Sequence, residues 1–207
     1  SPAHFRYASA HPSESSPAQA LGTHMHGLLF EPGAYRYAVQ PECDRRTKIG
    51  KEMYAAFLVS SEGAHVVTQD QHDKAQAMRD AVMSHSFASV LLADGCPEVT
   101  ALWDSDGVEF KARFDFIPNG LYVICDLKTA ADASPEGFAK AAGRYGYHIQ
   151  AALYSMAAEA NGLGRRPMVF VVVENEPPHA VALYMLDQEA IDAASSRIER
   201  LIRLYAD

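Results

Sequence analysis

GVEFKARFDFIPNGLYVICDLKTA, residues 107–130, is the stretch on which the fold of this chain turns. Two runs that alternate apolar and charged residues flank Asn119-Gly120, a dipeptide that favours a two-residue hairpin turn. Successive strand side chains point to opposite faces, so Asp126 and Lys128 share one face while Cys125 and Leu127 take the other. With that turn, Pro118 pairs with Leu121, Asp115 with Ile124 and Arg113 with Asp126. Lys111, Arg113, Asp115, Asp126 and Lys128 then project from one face, and Phe114, Phe116, Val123, Cys125 and Leu127 from the buried one. Asp115 and Asp126 become diagonal cross-strand neighbours, roughly 7–8 Å apart at the backbone. A one-residue slip would break the approach of Asp115 to Asp126 and expose the phenylalanines, so the apolar pattern defends the register.

Two carboxylates that face each other repel unless something positive lies between them. Arg113 or Lys128 can do that alone, which would make a purely structural charge cluster. A Mg²⁺ ion is the alternative, since it prefers carboxylate oxygens, keeps several waters and commonly bridges to phosphate. A lysine beside such an ion can orient or deprotonate water, because the cation's field and desolvation lower its pKa. That assembly hydrolyses phosphodiesters.

The remaining sequence bounds this reading. The 207 residues are 48% hydrophobic and 21% charged, as expected for one globular domain over 1–207 with an ordinary core. No apolar stretch approaches the ~20 residues that span a bilayer, and no signal-like segment opens the chain, so the expectation is a cytoplasmic protein without a membrane partner. The chain begins at SPAHF without a methionine, as a trimmed chain or a piece of a longer one would. Cys43, Cys96 and Cys125 are odd in number and widely spaced, which predicts buried free thiols rather than disulfides or a zinc cluster. A net charge of −8 argues against coating nucleic acid over the whole surface. Local basic runs remain: Arg45, Arg46, Lys48 and Lys51; Lys111 and Arg113; Lys140 and Arg144; Arg165 and Arg166. Taken singly, each reads first as a solvated face.

Ser1-Pro2 and Ser16-Pro17 both read as helix starts, the second opening a helix that stops before Pro32. A short strand within YRYAVQ and helices near 46–60 and 70–94 follow, the latter ending at Gly95. Strands fill 96–128, with turns at SDG and PNG. Ser134-Pro135 starts a helical region that breaks at Gly146 and runs to about Asn161. Strands MVFVVVEN and HAVALYML and a closing helix over 187–205 complete an α/β or α+β sheet flanked by helices.

RFD at 113–115 followed by DLK at 126–128 resembles the paired motif of the PD-(D/E)XK nuclease superfamily, with aspartate in place of the commoner glutamate in the second element. GTHMHGLLFEP, residues 22–32, is similar to the N-terminal helix motif of RecE-type exonucleases, in which the position of His26 contributes to the metal site. QAALY, residues 150–154, resembles the QxxxY motif shared by RecB-like, lambda-exonuclease-like and RecE-like nucleases. The opening SPAHF and the run from Asp126 to Met156 also look like the RecE nuclease domain, so the likeness extends from Ser1 to about Val173.

The resemblance implies a restriction-endonuclease-like α/β fold, a central mixed β-sheet flanked by helices. It also implies a Mg²⁺-dependent, Mn²⁺-tolerant exonuclease that degrades one strand of double-stranded DNA from its ends, 5′ to 3′, leaving 3′ tails for recombination by annealing. The implied ligands are Asp115, Asp126, His26 and the Leu127 carbonyl, with Lys128 activating the nucleophile. Gln150 and Tyr154, four apart on one helical face, would hold the DNA strand or the lysine. Lys111, Arg113, Thr129, Lys140, Arg144 and Tyr147 are candidate DNA contacts. Each has a plainer reading: an aromatic stripe in the core for Tyr147 and Tyr154, a satisfied helix histidine for His26, a strand-end threonine for Thr129. His24 reads as structural. Glu98 resembles the acidic residue that often precedes the first catalytic aspartate, at a loose spacing. Implied partners are a RecT-like single-strand annealing protein and further copies of the chain in a ring, often a tetramer. The terminal helix, with Ile191, Ile198, Leu201, Ile202 and Leu204, fits such a ring or core packing. Two alternatives stay open: a structure-selective endonuclease of the same fold, and a noncatalytic DNA-end-binding scaffold.

Overall fold

The computed structural model describes residues 2–11 and 16–206. Helices α1 (Pro2–Ala10) and α2 (Pro17–Phe30) come first. Ser16 caps α2: its Oγ accepts the Gln19 N–H at 3.3 Å, and Gln19 Oε1 accepts the Ser16 N–H at 2.8 Å. Such a cap contributes on the order of 1 kcal/mol. The Ser1 cap expected for α1 lies outside the described residues.

Strand β1 (Tyr37–Val39) pairs in parallel with β2 (His65–Val67), and helix α3 (Lys48–Ser60) forms the excursion between them. The sequence pattern predicts no strand at β2. The single helix expected over 70–94 is two, α4 (Gln69–Ser84) and α5 (Ser86–Leu91). His85 separates them by taking an extended backbone, φ −75° and ψ 125°, and its Nδ1 accepts the Ala88 N–H at 3.3 Å to start α5. Gly95 begins a strand instead of ending a helix.

Strands β3 (Gly95–Ser105), β4 (Val108–Pro118) and β5 (Ile124–Ala130) follow, then helices α6 (Pro135–Tyr145) and α7 (Tyr147–Ala160), broken by Gly146 at φ +72°. Strands β6 (Met168–Glu174) and β7 (Val181–Tyr184) and helix α8 (Gln188–Ala206) end the chain. The five-stranded sheet has the order β3-β4-β5-β6-β7, with β5 and β6 parallel and the other neighbours antiparallel. The run MVFVVV of β6 is buried throughout, as a central strand covered on both faces must be. One layer packs Met25, Ala75, Met78 and Val82 against Cys125, Leu127, Val169 and Val171. The opposite layer packs Phe138, Ala142, Ala151 and Ala157 against Ile124, Phe170 and Val172. Asp126 alternates with Cys125 and Leu127 and so faces the α6–α7 layer.

Three sequence expectations change here. Asn119-Gly120 is not the tip of a two-residue hairpin, because β4 and β5 pair at Phe116↔Cys125, two residues from the expected register. Asn119 is held back by the residue before β3: its N–H donates to the Asp94 carbonyl at 3.0 Å and its Nδ2 to Asp94 Oδ1 at 3.2 Å. The loop onward to Ile124 is fastened by Arg166 Nη1, which donates to the Leu121 carbonyl at 3.2 Å. The shift sets Asp115 across from Asp126, with Asp115 reaching His26 of α2 and Asp126 reaching Gln150 of α7. Second, Phe114 and Phe116 do not share a core; Phe116 joins the α2–α4 layer and Phe114 the α6–α7 layer. The β3–β4 ladder explains this, for it runs from Gly95↔Pro118 to Ser105↔Val108 but skips Glu98, which that register sets opposite Asp115. Glu98 takes φ +54°, a left-handed conformation that interrupts the pairing opposite Asp115, where the facing strand changes its alternation between Phe114 and Phe116. Third, of the cysteines expected to be buried, Cys125 is, Cys43 is half-buried and Cys96 is exposed.

Candidate active site

The interruption at Glu98 and Asp115 places charged side chains where α2, β3, β4, β5 and α7 meet. His26 of α2 points its Nε2 at Asp115 Oδ1, 3.1 Å away, and its Nδ1 at Glu98 Oε1, 3.2 Å away. Arg113 Nε lies 2.7 Å from Glu98 Oε2. Asp115 Oδ2 accepts the backbone N–H of Leu127 at 2.8 Å, tying β4 to β5 beyond their one paired position. Asp126, 1% exposed, accepts Gln150 Nε2 on Oδ1 at 2.6 Å and lies 2.6 Å from Lys128 Nζ through Oδ2. The Lys128 ammonium rests 4.9 Å from the centroid of the Tyr147 ring. Tyr154 donates its hydroxyl to the Arg113 carbonyl at 2.9 Å and sets its ring edge-on to Phe114. An open cleft lined by Gly22, Thr23, His26, Gly27, Glu31, Tyr35 and Arg113 leads to the imidazole.

Burial and like charge shape the titration of this cluster. Burial, reinforced by the Asp115 charge and opposed by Lys128 and Gln150, pushes the Asp126 carboxyl up to about 6. Burial also raises Glu98, with Asp115 and Glu31 adding to it and His26 and Arg113 opposing. Burial disfavours the charged form of His26, but the hydrogen bond and charge of Asp115, with Glu98, outweigh it and raise the imidazole. The cluster therefore holds protons that a divalent cation would displace.

The residues fit such a cation. His26, Glu98 and Asp115 are, among the described residues, the group of side chains able to share one ion, each offering a ligand atom within 4.8 Å of the others. Both Glu98 oxygens and Asp126 Oδ2 are buried without a hydrogen-bond partner, although Arg113 and Lys128 stand at ion-pair distance. One imidazole and two carboxylates form a donor set suited to Mn²⁺ or Mg²⁺.

This grouping departs from the sequence expectation in one respect. His26 and Asp115 converge, but with Glu98, because Asp126 is turned toward Lys128 and Gln150 and Leu127 meets Asp115 through its N–H. The signal for Glu98 is the Asp106-Gly107 turn, which fixes Ser105↔Val108 and, counted back along the ladder, puts Glu98 across from Asp115. Of the candidate DNA contacts, Lys111, Arg113, Lys140 and Arg144 are exposed, while Tyr147 stacks on Phe170 in the core with centroids 5.4 Å apart. Thr129 turns its hydroxyl toward α2 at Gly22. His24 is fully buried and belongs to a separate polar network: Nε2 is 3.0 Å from His72 Nδ1, and Nδ1 is 3.1 Å from the Tyr35 hydroxyl.

Comparison with known proteins agrees with this architecture. The chain belongs to the family of the PDDEXK-like domain of unknown function (DUF3799), whose model matches residues 1–207. The crystal structure of a "Putative exonuclease" from Eubacterium rectale superposes on 92% of this chain and 68% of that one, with a TM-score of 0.61 at 14% identity, a likeness of fold. A second crystal structure, of SSO0001, covers 88% of this chain and 84% of its own at 15% identity, with a TM-score of 0.35. No curated protein sequence matches the chain. No helix among the described residues is long and apolar enough to cross a membrane.

Proposed function

We propose that this chain is a divalent-metal-dependent DNA nuclease that acts as a RecE-type exonuclease on the ends of double-stranded DNA. The observation that carries this reading is the meeting of His26, Glu98 and Asp115 beside the buried Asp126–Lys128 pair. His26, Glu98 and Asp115 would hold Mg²⁺, or Mn²⁺ in its place, with Asp126 alongside. When bound, such an ion supplies Lewis-acid polarisation of a phosphate and makes a water more acidic.

The chain's own groups account for the remaining chemistry. Asp126 fixes the Lys128 ammonium against the Tyr147 ring, where it can orient a water and offset charge that builds on phosphate oxygens. Gln150 holds Asp126 from the α7 side, and Tyr154 holds the β4 backbone at Arg113, so both are positioning residues. Lys111, Lys140 and Arg144 are exposed cations available to phosphates.

The 5′ to 3′ direction, the 3′ tails and a RecT-like annealing partner rest on the likeness to RecE-type enzymes. So does assembly into a ring, which the exposed Leu201, Leu204 and Tyr205 of α8 also favour, while Ile198 and Ile202 are buried in the core. Sedimentation as a monomer at micromolar concentration would remove the ring from the proposal. Incubating linear and covalently closed circular DNA with Mg²⁺, Mn²⁺ or EDTA tests the activity. An exonuclease degrades the linear form alone and needs the metal, an endonuclease of the same fold cuts both, and a noncatalytic end-binding scaffold cuts neither.

A further inference from the structure

Helix α3 is an unusual element of this fold. Residues 48–60 form thirteen helical positions, yet Gly50 is its one buried residue, with Tyr54 and Phe57 half-buried on the same side. Ile49 is 71% exposed and Met53 47%, one turn apart on a strip that no described residue covers. A short helix with so little packing is held by local devices. Thr47 Oγ1 accepts the Gly50 N–H at 3.0 Å and donates to the Asp44 carbonyl at 2.9 Å. Cys43 Sγ donates to the Gly50 carbonyl at 3.5 Å. Gly50 is required for this closure, because a Cβ there would stand 2.0 Å from the Asp44 carbonyl oxygen. The turn over residues 42–47 is thereby built onto the start of the helix.

That turn and the first helical turn carry Arg45, Arg46, Lys48 and Lys51 against Glu42, Asp44 and Glu52, in a chain whose net charge is −8. Arg46 spends part of its charge on Asp44, at 3.1 Å, and Lys48 lies 3.9 Å from Glu52. Arg45 covers the Tyr54 ring at 4.1 Å, which leaves its outer N–H groups free to donate. The excursion springs from β1 and β2, and Tyr35, two residues before β1, lines the cleft that leads to His26. A preorganised cationic turn next to an exposed apolar strip, on the excursion whose first strand follows the cleft residue Tyr35, matches a polyanion that presents flat apolar bases at its end.

We propose that α3 and the turn before it form the DNA-docking arm of this site. Arg45, Arg46 and Lys51 contact backbone phosphates, and the Ile49–Met53 strip meets the bases exposed at the duplex terminus. The inference rests on the nuclease reading for its ligand but not for its residues, none of which belongs to the metal cluster.

The test uses the full chain with a fluorescein-labelled blunt duplex in EDTA, so that no strand is cut, and follows anisotropy across a salt series. Arg46→Glu/Lys51→Glu should weaken binding about tenfold or more and flatten the logarithmic salt dependence by roughly 0.9 for each phosphate no longer neutralised. Ile49→Ser/Met53→Ser should weaken binding to the blunt end while leaving the salt slope unchanged. Both variants should keep the wild-type melting temperature, because α3 contributes little to the core. Unchanged affinity and slope in both, with wild type binding DNA, would overturn the docking role and leave the nuclease reading standing. Variants that lose self-association but keep DNA affinity would also overturn it, assigning the face to contact between copies. Failure of wild type to bind or cut any DNA would instead remove the function itself.

Discussion

Asp115 accepts the backbone N–H of Leu127 at 2.8 Å, a hydrogen bond that joins two strands where their ladder has stopped. The same carboxylate turns its other oxygen to His26. One side chain thus closes the sheet and supplies a ligand, and two substitutions should separate these roles. Asp115→Asn keeps an acceptor for Leu127 and should leave the fold intact. Asp115→Ala orphans a buried N–H and should cost about 1–3 kcal/mol, which for a chain of this size lowers the melting temperature by several degrees. Both should abolish the rise in melting temperature on adding Mn²⁺. Equal melting of the two variants would show that the Leu127 bond carries no stability.

Glu98 offers a second separation. Its oxygens are buried, unpartnered by hydrogen bonds and burdened by the charge of Asp115. Glu98→Gln should therefore leave the metal-free protein as stable as wild type or more so, because it removes a poorly solvated charge. It should also weaken Mn²⁺ binding by about tenfold or more in calorimetric titration, as removal of a direct carboxylate ligand requires. Wild-type Mn²⁺ affinity in this variant would mean that the ion is held elsewhere, with Asp126 the first place to look.

Much of this site was legible in the sequence, and the exceptions have physical causes. The unbroken apolar run of β6 and the Asp106-Gly107 turn between β3 and β4 are local signals, and the structure follows them. Asn119-Gly120 is an equally strong local signal, but Asp94 and Arg166, distant in sequence, recruit its loop and move the register by two. The pairing of Asp126 with Gln150 was hidden for a related reason: Gln150 comes from α7, and the turn of that helix onto the sheet depends on Gly146. The His24, His65 and His72 neighbourhood draws on α2, α4 and the three-residue strand β2, whose pattern is too short to read.

Acid should act on the metal-free protein through Asp126. Its carboxyl is raised from the usual 3.8 to about 6 because burial and Asp115 disfavour the charge. The folded state therefore binds this proton more readily than the unfolded state does, and stability falls as pH rises from about 4 to about 6. His26, raised from 6.5, acts in the same direction but at higher pH, above this window. In EDTA the melting temperature of wild type should drop across this window, and that of Asp126→Asn should drop less. Divalent metal competes with the same protons, so the Mn²⁺-induced rise should be larger at about pH 8 than at about pH 5.5. A wild-type melting profile that climbs through the window would contradict the buried-carboxylate account.

Gln150 should reveal itself in the pH dependence of cleavage and little in stability. Its amide donates to Asp126 Oδ1 at 2.6 Å and favours the ionised carboxylate that holds Lys128. Removing the donor in Gln150→Ala lets burial act with less opposition, so the Asp126 carboxyl rises further. The acid limb of the rate profile should then move to higher pH, with the plateau rate recovered in part once the carboxylate ionises. Tyr154→Phe removes a hydroxyl bonded to the Arg113 carbonyl and should cost about 0.5–1.5 kcal/mol of stability without moving that limb. If Gln150→Ala lowers the rate equally at all pH values, the amide acts on substrate rather than through Asp126.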